Sequence, residues 1–129
     1  MYKEDIEIAK KARLNAHAPY SNYLVGATLR TKSGKMYSGC NVENHGIQGI
    51  CAERTAFVKA ISEGEKDFES ITIVAGAKEN EALDMALPCG YCRQFMSEFI
   101  DENFKIIIAD DKETQEYGID DLLPHRFKL

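Results

Sequence analysis

The spacing of apolar residues divides the chain into alternating helical and extended segments. Apolar or small side chains recur at helical intervals among charged ones near the N-terminus, which predicts an amphipathic helix over residues 3–16. Two strand-like runs follow, at 24–31 and 35–40, and the Ser33-Gly34 pair between them is typical of a turn joining antiparallel strands. We therefore expect a helix followed by a β-hairpin.

Two further helices and strands are predicted after the hairpin. A helical segment begins at Cys51 and runs until Gly64, and a strand is expected over residues 70–75. A third helix should follow Pro88, with a buried stripe formed by Cys92, Phe95, Met96, Phe99 and Ile100. The continuous apolar run at 104–109 is typical of a strand covered on both faces, as in a parallel pair flanked by helices.

The C-terminal part of the chain is less regular. Residues 113–119 are compatible with an edge strand, and residues 120–123 with a short helix ended by Pro124. Repeats, linkers and low-complexity tracts are absent from the sequence. The order of elements predicts an α/β protein with one mixed sheet and helices on its faces.

Composition limits the classes of function that the chain can have. With 129 residues, 44% of them hydrophobic, the chain suits a single domain spanning 1–129. The formal net charge of -5 argues against a nucleic-acid-binding surface and favours small solutes as partners. A charged N-terminal segment and the absence of long apolar tracts predict a cytoplasmic protein with no membrane segment. In such a protein, four cysteines indicate metal or redox chemistry rather than disulfides.

Three of the cysteines stand at the predicted starts of two helices. Cys51 begins one helix, and Cys89 and Cys92 begin the other in a C-x-x-C arrangement. Helix N-termini favour negative charge, so both positions favour the thiolate that zinc requires. Three ligands would leave the fourth tetrahedral position of zinc open, as in catalytic sites, whereas a structural site would use a fourth ligand. The side chains that could supply that ligand are Cys40, His17, His45 and His125.

Charged residues next to Cys51 suit a catalytic metal. The side chains of Cys51 and Glu53 can converge only on a metal lying just beyond the helix end. A carboxylate that is not a ligand can pass protons between water and substrate there, although a glutamate in a first helical turn also suits the helix dipole. Three thiolates on one divalent cation leave net negative charge, which a nearby donor must offset. Arg54 is the candidate for this role, and Arg93 is its rival.

Three motifs together carry a family resemblance. The runs C-A-E-R-T-A at 51–56, P-C-G-Y-C-R-Q at 88–94 and G-C-N-V-E-N at 39–44 resemble the small, homotetrameric type of cytidine deaminase. The resemblance extends to A-P-Y-S-N-Y-L-V-G-A at 18–27 and L-L-P-H-R-F at 122–127. It implies a three-layer α/β/α sandwich in which a mixed five-stranded sheet has helices on both faces. It also implies one zinc ion per chain and active sites completed by neighbouring subunits of a homotetramer.

The resemblance also assigns roles to individual residues. Cys51, Cys89 and Cys92 would hold the zinc ion, with Glu53 as the proton shuttle and Arg54 beside the sulfur atoms. The residues that would contact the nucleoside are Asn41 and Glu43 at the ribose, Tyr23 (usually Phe in the family) at the pyrimidine, Val42, Ala52 and, from a neighbouring subunit, Phe127. The implied reaction is zinc-dependent hydrolytic deamination of cytidine and 2'-deoxycytidine to uridine and 2'-deoxyuridine, with release of ammonia, in pyrimidine salvage.

Other functions remain as alternatives. The segment from His45 to Ile50 is one residue shorter than the family norm and lacks its customary tyrosine, a shortening that the blasticidin S deaminases share. Those enzymes lack the Asn-x-Glu-Asn run found here at 41–44, so cytidine is favoured. A nucleic-acid-editing deaminase would need a basic channel that this acidic chain lacks. A structural zinc module would not need Glu53, and a thiol redox protein would use Cys89 and Cys92 without metal.

Overall fold

The computed structural model describes residues 2–46, 48–79 and 82–128. The helices are α1 (Lys3–Arg13), α2 (Ala52–Ser62), α3 (Gly90–Ser97) and α4 (Ile119–Leu122), and the strands are β1 (Tyr23–Thr31), β2 (Met36–Cys40), β3 (Phe68–Ala77), β4 (Lys105–Ala109) and β5 (Thr114–Tyr117). The strands form one sheet in the order β2-β1-β3-β4-β5. β3 and β4 pair in parallel, and the other neighbours pair antiparallel. The prediction of an α/β fold with a mixed five-stranded sheet is therefore confirmed.

Helices cover both faces of this sheet. Strand residues such as Leu29, Ile71 and Ile73 pack against α2, α3 and α4 in the larger core. On the opposite face, Val74 packs against Ala9 of α1. The alternation follows from the two-residue period of a strand, which sends successive side chains to opposite faces. The predicted three layers are confirmed, and among the described residues no helix is long and apolar enough to cross a membrane.

The first and third helices end earlier than predicted. α1 stops at Arg13 rather than at residue 16, and α3 stops at Ser97 although the apolar stripe continues to Ile100. At both ends the backbone changes to tighter i to i−3 hydrogen bonds, such as the one from the Phe99 N–H to the Met96 carbonyl. Phe99 and Ile100 still pack against the core from this turn. The periodicity therefore identified apolar contacts correctly but extended the helices too far.

Ion pairs and hydrogen bonds attach α1 to the sheet. The Asp5 carboxylate is 1% exposed, and it accepts hydrogen bonds from the Arg30 guanidinium of β1 at 2.7 and 3.1 Å. At the other end of the helix, the Arg13 guanidinium donates to the carbonyl oxygens of Leu24, Gly76 and Ala77. These carbonyls lie at adjoining ends of β1 and β3, so Arg13 joins the end of the helix to two strands.

Two glycines let the helices approach the strands closely. A Cβ atom at Gly26 of β1 would lie 2.0 Å from the carbonyl oxygen of Ala9 in α1. A Cβ atom at Gly39 of β2 would lie 2.6 Å from both the Ala52 oxygen and the Ala56 nitrogen of α2. Such contacts are possible only without a side chain. Gly39 therefore sets the position of the N-terminal half of α2.

Candidate metal centre

The three predicted sulfur ligands come together between the N-termini of α2 and α3. Cys51 is the N-cap residue of α2, Cys89 is the N-cap residue of α3, and Cys92 is buried in the first turn of α3. Their Sγ atoms all lie within 4.8 Å of one another, and those of Cys51 and Cys89 are 3.8 Å apart. Tetrahedral zinc with Zn–S bonds of about 2.3 Å requires sulfur atoms about 3.8 Å apart. The donor set and its spacing fit zinc.

Local hydrogen bonds hold the cluster in this arrangement. The Cys89 sulfur accepts a hydrogen bond from the backbone N–H of Cys92 at 3.3 Å, as an N-cap side chain does. The Thr55 hydroxyl donates to the carbonyl oxygen of Cys40, which attaches the first turn of α2 to the end of β2. Unpaired N–H groups at both helix starts favour the negative charge of thiolates.

Among the residues that the structure describes, no fourth protein ligand joins the cluster. In residues 2–46, 48–79 and 82–128, the three cysteines are the one group of three or more His, Cys, Asp or Glu side chains close enough to hold a metal ion. The sequence offered four candidates for a fourth ligand, and all of them lie outside this group: Cys40, His17, His45 and His125. Three ligands leave one tetrahedral position for water or substrate, which is the arrangement of catalytic rather than structural zinc.

Arg54 contacts the sulfur cluster directly. Its Nη2 atom lies 3.7 Å from the Sγ atom of Cys51 and donates to the Gly49 carbonyl oxygen at 2.9 Å. The centre of its guanidinium lies 4.4 Å from the centroid of the Tyr91 ring. Sequence reasoning did not identify Gly49 or Tyr91, although the place of Tyr91 inside the C-x-x-C motif was a signal that could have drawn attention to it.

Arg93 occupies a different environment. Its Nε atom donates to the Pro88 carbonyl oxygen and its Nη1 atom to the Leu122 carbonyl oxygen, both at 2.7 Å. These bonds join the start of α3 to the end of α4. Of the two arginines considered from the sequence, it is Arg54 that lies beside a sulfur atom.

The electrostatics of the cluster favour a bound cation. Hydrogen bonding from Cys92, followed by hydrogen bonds from Arg54 and Cys89, lowers the pKa of the Cys51 thiol to about 5 despite its partial burial. The hydrogen bond with Cys51 and burial raise the pKa of Cys92. The Glu53 side chain is 4% exposed, and burial, with the Cys51 charge as a smaller contribution, raises its pKa to about 7. Without a cation, the negative charges of these neighbouring groups repel one another, so that the groups are not all ionised together.

An open cleft of about 600 Å³ borders the cluster. Its lining includes Cys51 and Arg54, together with the predicted nucleoside-contacting residues Asn41, Val42 and Glu43. Three other side chains that were predicted to contact the substrate or the water do not line this cleft. Glu53 and Ala52 are buried in the first turn of α2. Tyr23 begins β1, and its hydroxyl lies 3.1 Å from an Asp84 carboxylate oxygen. The sequence contained no signal for the Asp84 contact.

The polar groups of Asn41 and Glu43 are fixed by neighbouring backbone. The Asn41 amide accepts from the Val25 N–H at 2.8 Å and donates to the Tyr23 carbonyl oxygen at 2.9 Å. Since an amide has two N–H donors and two acceptor lone pairs, one of each remains for a ligand. The Glu43 carboxylate accepts from the Ser21 hydroxyl and from nearby N–H groups, which holds its pKa below the ordinary value.

The shortened segment after Asn44 forms a closed loop. Val42 and Ile50 exchange two backbone hydrogen bonds of 2.8 Å, which join the two ends of the loop. Within it, the His45 ring packs edge-on against Tyr20, with centroids 5.7 Å apart. Ile47 lies outside the described residues, and Ile50 is exposed.

The structure does not bring Phe127 to the cysteine cluster of its own chain. Its side chain is 66% exposed and lines a separate cleft of about 700 Å³ between α3 and the C-terminal segment. Its carbonyl oxygen accepts a hydrogen bond from the Gln94 amide at 3.0 Å. This cleft is the larger of the two, but it contains none of the sulfur ligands, so the smaller cleft is the one relevant to metal chemistry.

Comparisons with known proteins give a consistent result. Residues 2–108 match the family model of the cytidine and deoxycytidylate deaminase zinc-binding region. The "Probable cytidine deaminase" of Dictyostelium discoideum is 42% identical over 95% of this chain and 80% of its own length. The crystal structure of cytidine deaminase from Burkholderia pseudomallei superposes with a TM-score of 0.88 at 38% identity, covering 98% of this chain and 99% of the other. The blasticidin-S deaminase of Bacillus cereus is 30% identical over 97% of this chain and 93% of its own length.

Proposed function

Because the chain belongs to the cytidine and deoxycytidylate deaminase family, we propose that it is a zinc-dependent cytidine deaminase. It hydrolyses cytidine and 2'-deoxycytidine to uridine and 2'-deoxyuridine and releases ammonia. One observation above all supports this reaction: three thiol ligands leave a metal position open beside a buried carboxyl group that is not a ligand. Hydrolysis of an aromatic amine needs an activated water and a group that moves its proton.

The cluster and Glu53 divide this chemistry between them. Cys51, Cys89 and Cys92 would hold zinc, which when bound would lower the pKa of a water molecule, so that the water can lose a proton near neutral pH and attack C4 of the base. Glu53 would accept one proton of the attacking water and deliver it to N3 of the ring. It would then move the proton of the hydroxyl group added at C4 to the amine, so that the C4–N bond breaks, the C4 carbonyl forms and ammonia leaves. A pKa of about 7 lets this carboxyl group both take and give a proton at neutral pH. Arg54 offsets the excess negative charge of the sulfur ligands.

The cleft beside the cluster binds the nucleoside. Asn41 and Glu43 lie in its wall with orientations set by backbone hydrogen bonds, and their remaining donor and acceptor capacity suits ribose hydroxyls. Val42 contributes to the same wall, and the N–H groups at the start of α2, near Ala52, face the metal end of the site. The role of Tyr23 at the pyrimidine rests on the family resemblance, because its side chain does not line this cleft and its hydroxyl lies 3.1 Å from Asp84.

Self-association into a homotetramer is part of the proposal. Phe127 is largely exposed and does not line the cleft that contains Cys51 and Arg54, as expected of a residue that completes the site of a neighbouring subunit. The exposed Ile50 at the loop end adds apolar surface that a partner can cover. We further infer a cytoplasmic role in pyrimidine salvage, because a reducing compartment keeps three thiol ligands available for metal.

Two alternatives are weighed against specific observations. A blasticidin S-type specificity is favoured by the shortened loop, but the Asn41 and Glu43 side chains suited to a ribose are present in the cleft. A structural zinc module would have no use for a carboxyl group buried beside the metal ligands, where burial raises its pKa to about 7. Both alternatives are therefore less well supported than cytidine deamination.

Replacement of the carboxyl group tests the proposal. We expect Glu53→Gln to lower kcat for cytidine by at least about a hundredfold while the zinc content stays unchanged, because general acid–base catalysis is lost and the ligands remain. Glu63→Gln at the exposed end of the same helix is the matched control and should behave as wild type. Turnover is followed by loss of ultraviolet absorbance with cytidine, 2'-deoxycytidine and blasticidin S, with zinc measured on the same samples.

Each result has a defined meaning. Cytidine turnover that survives Glu53→Gln would remove the assigned proton shuttle. Consumption of blasticidin S alone would transfer the assignment to that class of substrate. Zinc content without turnover of any of the three would support a structural metal site.

A further inference from the structure

The Tyr91 ring lies against the charged group that contacts the sulfur cluster. Tyr91 stands between the two cysteines of the C-x-x-C motif, at the start of α3, and its side chain is 55% exposed. The guanidinium centre of Arg54 lies over its ring, 4.4 Å from the ring centroid. This distance is well within the range of about 6 Å over which a cation is attracted to an aromatic face.

Hydrogen bonds alone leave the Arg54 guanidinium incompletely held. A guanidinium has five N–H donors on three nitrogen atoms. Here Nη2 donates to the Gly49 carbonyl oxygen and lies 3.7 Å from the Cys51 sulfur, and the Cys92 sulfur is a further hydrogen-bonding neighbour of the guanidinium. The Nε atom is buried without a hydrogen-bond partner among the described residues. The ring face of Tyr91 is therefore the additional contact that orients the planar group.

The position of this guanidinium has a direct effect on the sulfur ligands. Its Nη2 atom lies 3.7 Å from the Cys51 sulfur, a long contact that a small rotation of the group would break. Three thiolates bound to one divalent cation carry excess negative charge, and partners outside the ligand set tune how strongly such ligands hold the metal. A group that keeps the positive charge of Arg54 in place thus acts on the metal without touching it.

We propose that Tyr91 is a positioning residue: its ring face holds the Arg54 guanidinium against the Cys51 sulfur and thereby slows the release of zinc. This inference rests on the proposed zinc site. A competing role exists, because Tyr91 also lines the cleft that contains Phe127 and could act there as an apolar wall. The two roles differ in what the side chain must supply. An apolar wall needs bulk, whereas orientation of a cation needs an aromatic face.

Zinc release by two variants separates these roles. Zinc-loaded protein is mixed with an excess of a chromogenic chelator, and the rate of metal transfer is recorded for wild type, Tyr91→Phe and Tyr91→Leu. We expect Tyr91→Leu to release zinc about threefold to tenfold faster, because the cation–aromatic contact is lost while bulk is retained. Tyr91→Phe, which keeps the ring, should remain close to wild type. Thermal melting of each variant confirms that it is folded.

A double-mutant cycle with Arg54 provides the decisive comparison. If Tyr91 acts through Arg54, then Tyr91→Leu has no further effect on zinc release in an Arg54→Gln background. An acceleration that persists in that background would assign the effect to the cleft or to α3 itself and overturn the proposal. Wild-type release rates for Tyr91→Leu, or equal acceleration by Tyr91→Phe, would overturn it as well. Because metal transfer is measured directly, a failure of the deaminase assignment would appear separately in the turnover assay.

Discussion

Gly39→Ala tests whether the contact between β2 and α2 positions the catalytic group. The added methyl would lie 2.6 Å from two backbone atoms of α2, whereas ordinary contacts begin at 3.4 Å. Since backbone cannot rotate away as a side chain can, α2 must move outward by about 1 Å. Overpacking of this kind costs about 1–3 kcal/mol of stability. The displaced segment begins with Cys51 and includes Glu53, so activity should fall further than stability alone explains.

The expected loss of activity is large because catalytic geometry tolerates little displacement. A shift of about 1 Å remote from the chemistry can cost about a hundredfold, so kcat/KM for cytidine should fall by about tenfold to a hundredfold at a temperature where Gly39→Ala is fully folded. The assay combines ultraviolet absorbance, thermal melting and zinc content of the same samples.

Two control variants disturb the other face of the sheet. Gly26→Ala forces α1 outward through a closer clash of 2.0 Å, and Val74→Ala leaves a cavity beneath α1 at a cost of about 2 kcal/mol. Because α1 carries no residue of the proposed site, both variants should lose stability while their folded fraction keeps wild-type kcat/KM. Equal loss of specific activity in Gly39→Ala and in either control would refute the view that the β2–α2 contact sets the catalytic geometry.

Further consequences concern charge and metal removal. Burial raises the folded-state pKa of Glu53 from 4.5 to about 7, so the folded state retains this proton to higher pH than the unfolded state does. The free energy of unfolding of the metal-free protein, measured with a chemical denaturant, should therefore decrease as the pH rises from 4.5 to 7. In Glu53→Gln this decrease should be less steep. After removal of zinc, Cys51 should be alkylated by iodoacetamide at pH 6, because its pKa is lowered to about 5 and it is then largely a thiolate. The buried Cys92 should react much later, and peptide mass mapping would show the order. Asp5→Ala should lower the free energy of unfolding by about 2 kcal/mol, because it removes two short hydrogen bonds of the partly buried Arg30 and leaves it the longer ion pair with Glu4 at 3.6 Å; denaturant titration measures this loss.

The sequence motifs predicted which three cysteines lie close together, because ligand chemistry restricts both residue type and spacing. A C-x-x-C at a helix start can present two sulfur atoms to one ion, and a third cysteine at the start of another helix can supply the next ligand. The three sulfur atoms do lie together, within 4.8 Å of one another. Roles that depend on substrate, such as those of Asn41 and Glu43, remain proposals.

Contacts between distant segments could not be predicted from local pattern. The early end of α1 coincides with Arg13, whose three carbonyl partners lie on β1 and β3, and hydrophobic periodicity carries no information about them. Asn41 directly follows the strand predicted over residues 35–40, but the hydrogen bonds of its amide to Val25 and Tyr23 depend on how β2 leaves the sheet. The contact between Arg54 and Tyr91 likewise requires α2 and α3 to meet at their first turns.

A zinc ion bound between the N-termini of α2 and α3 would also restrict the conformations of the unfolded chain. Cys51 and Cys89 are 38 positions apart, so a zinc ion bound by both closes a long covalent loop, as a disulfide would. By the chain-entropy relation for cross-links, a loop of this length restricts the unfolded ensemble by about 4 kcal/mol. Zinc therefore serves as a cross-link as well as a reagent. Without the metal, the unfolded chain would regain this freedom, and the free energy of unfolding would fall by a comparable amount.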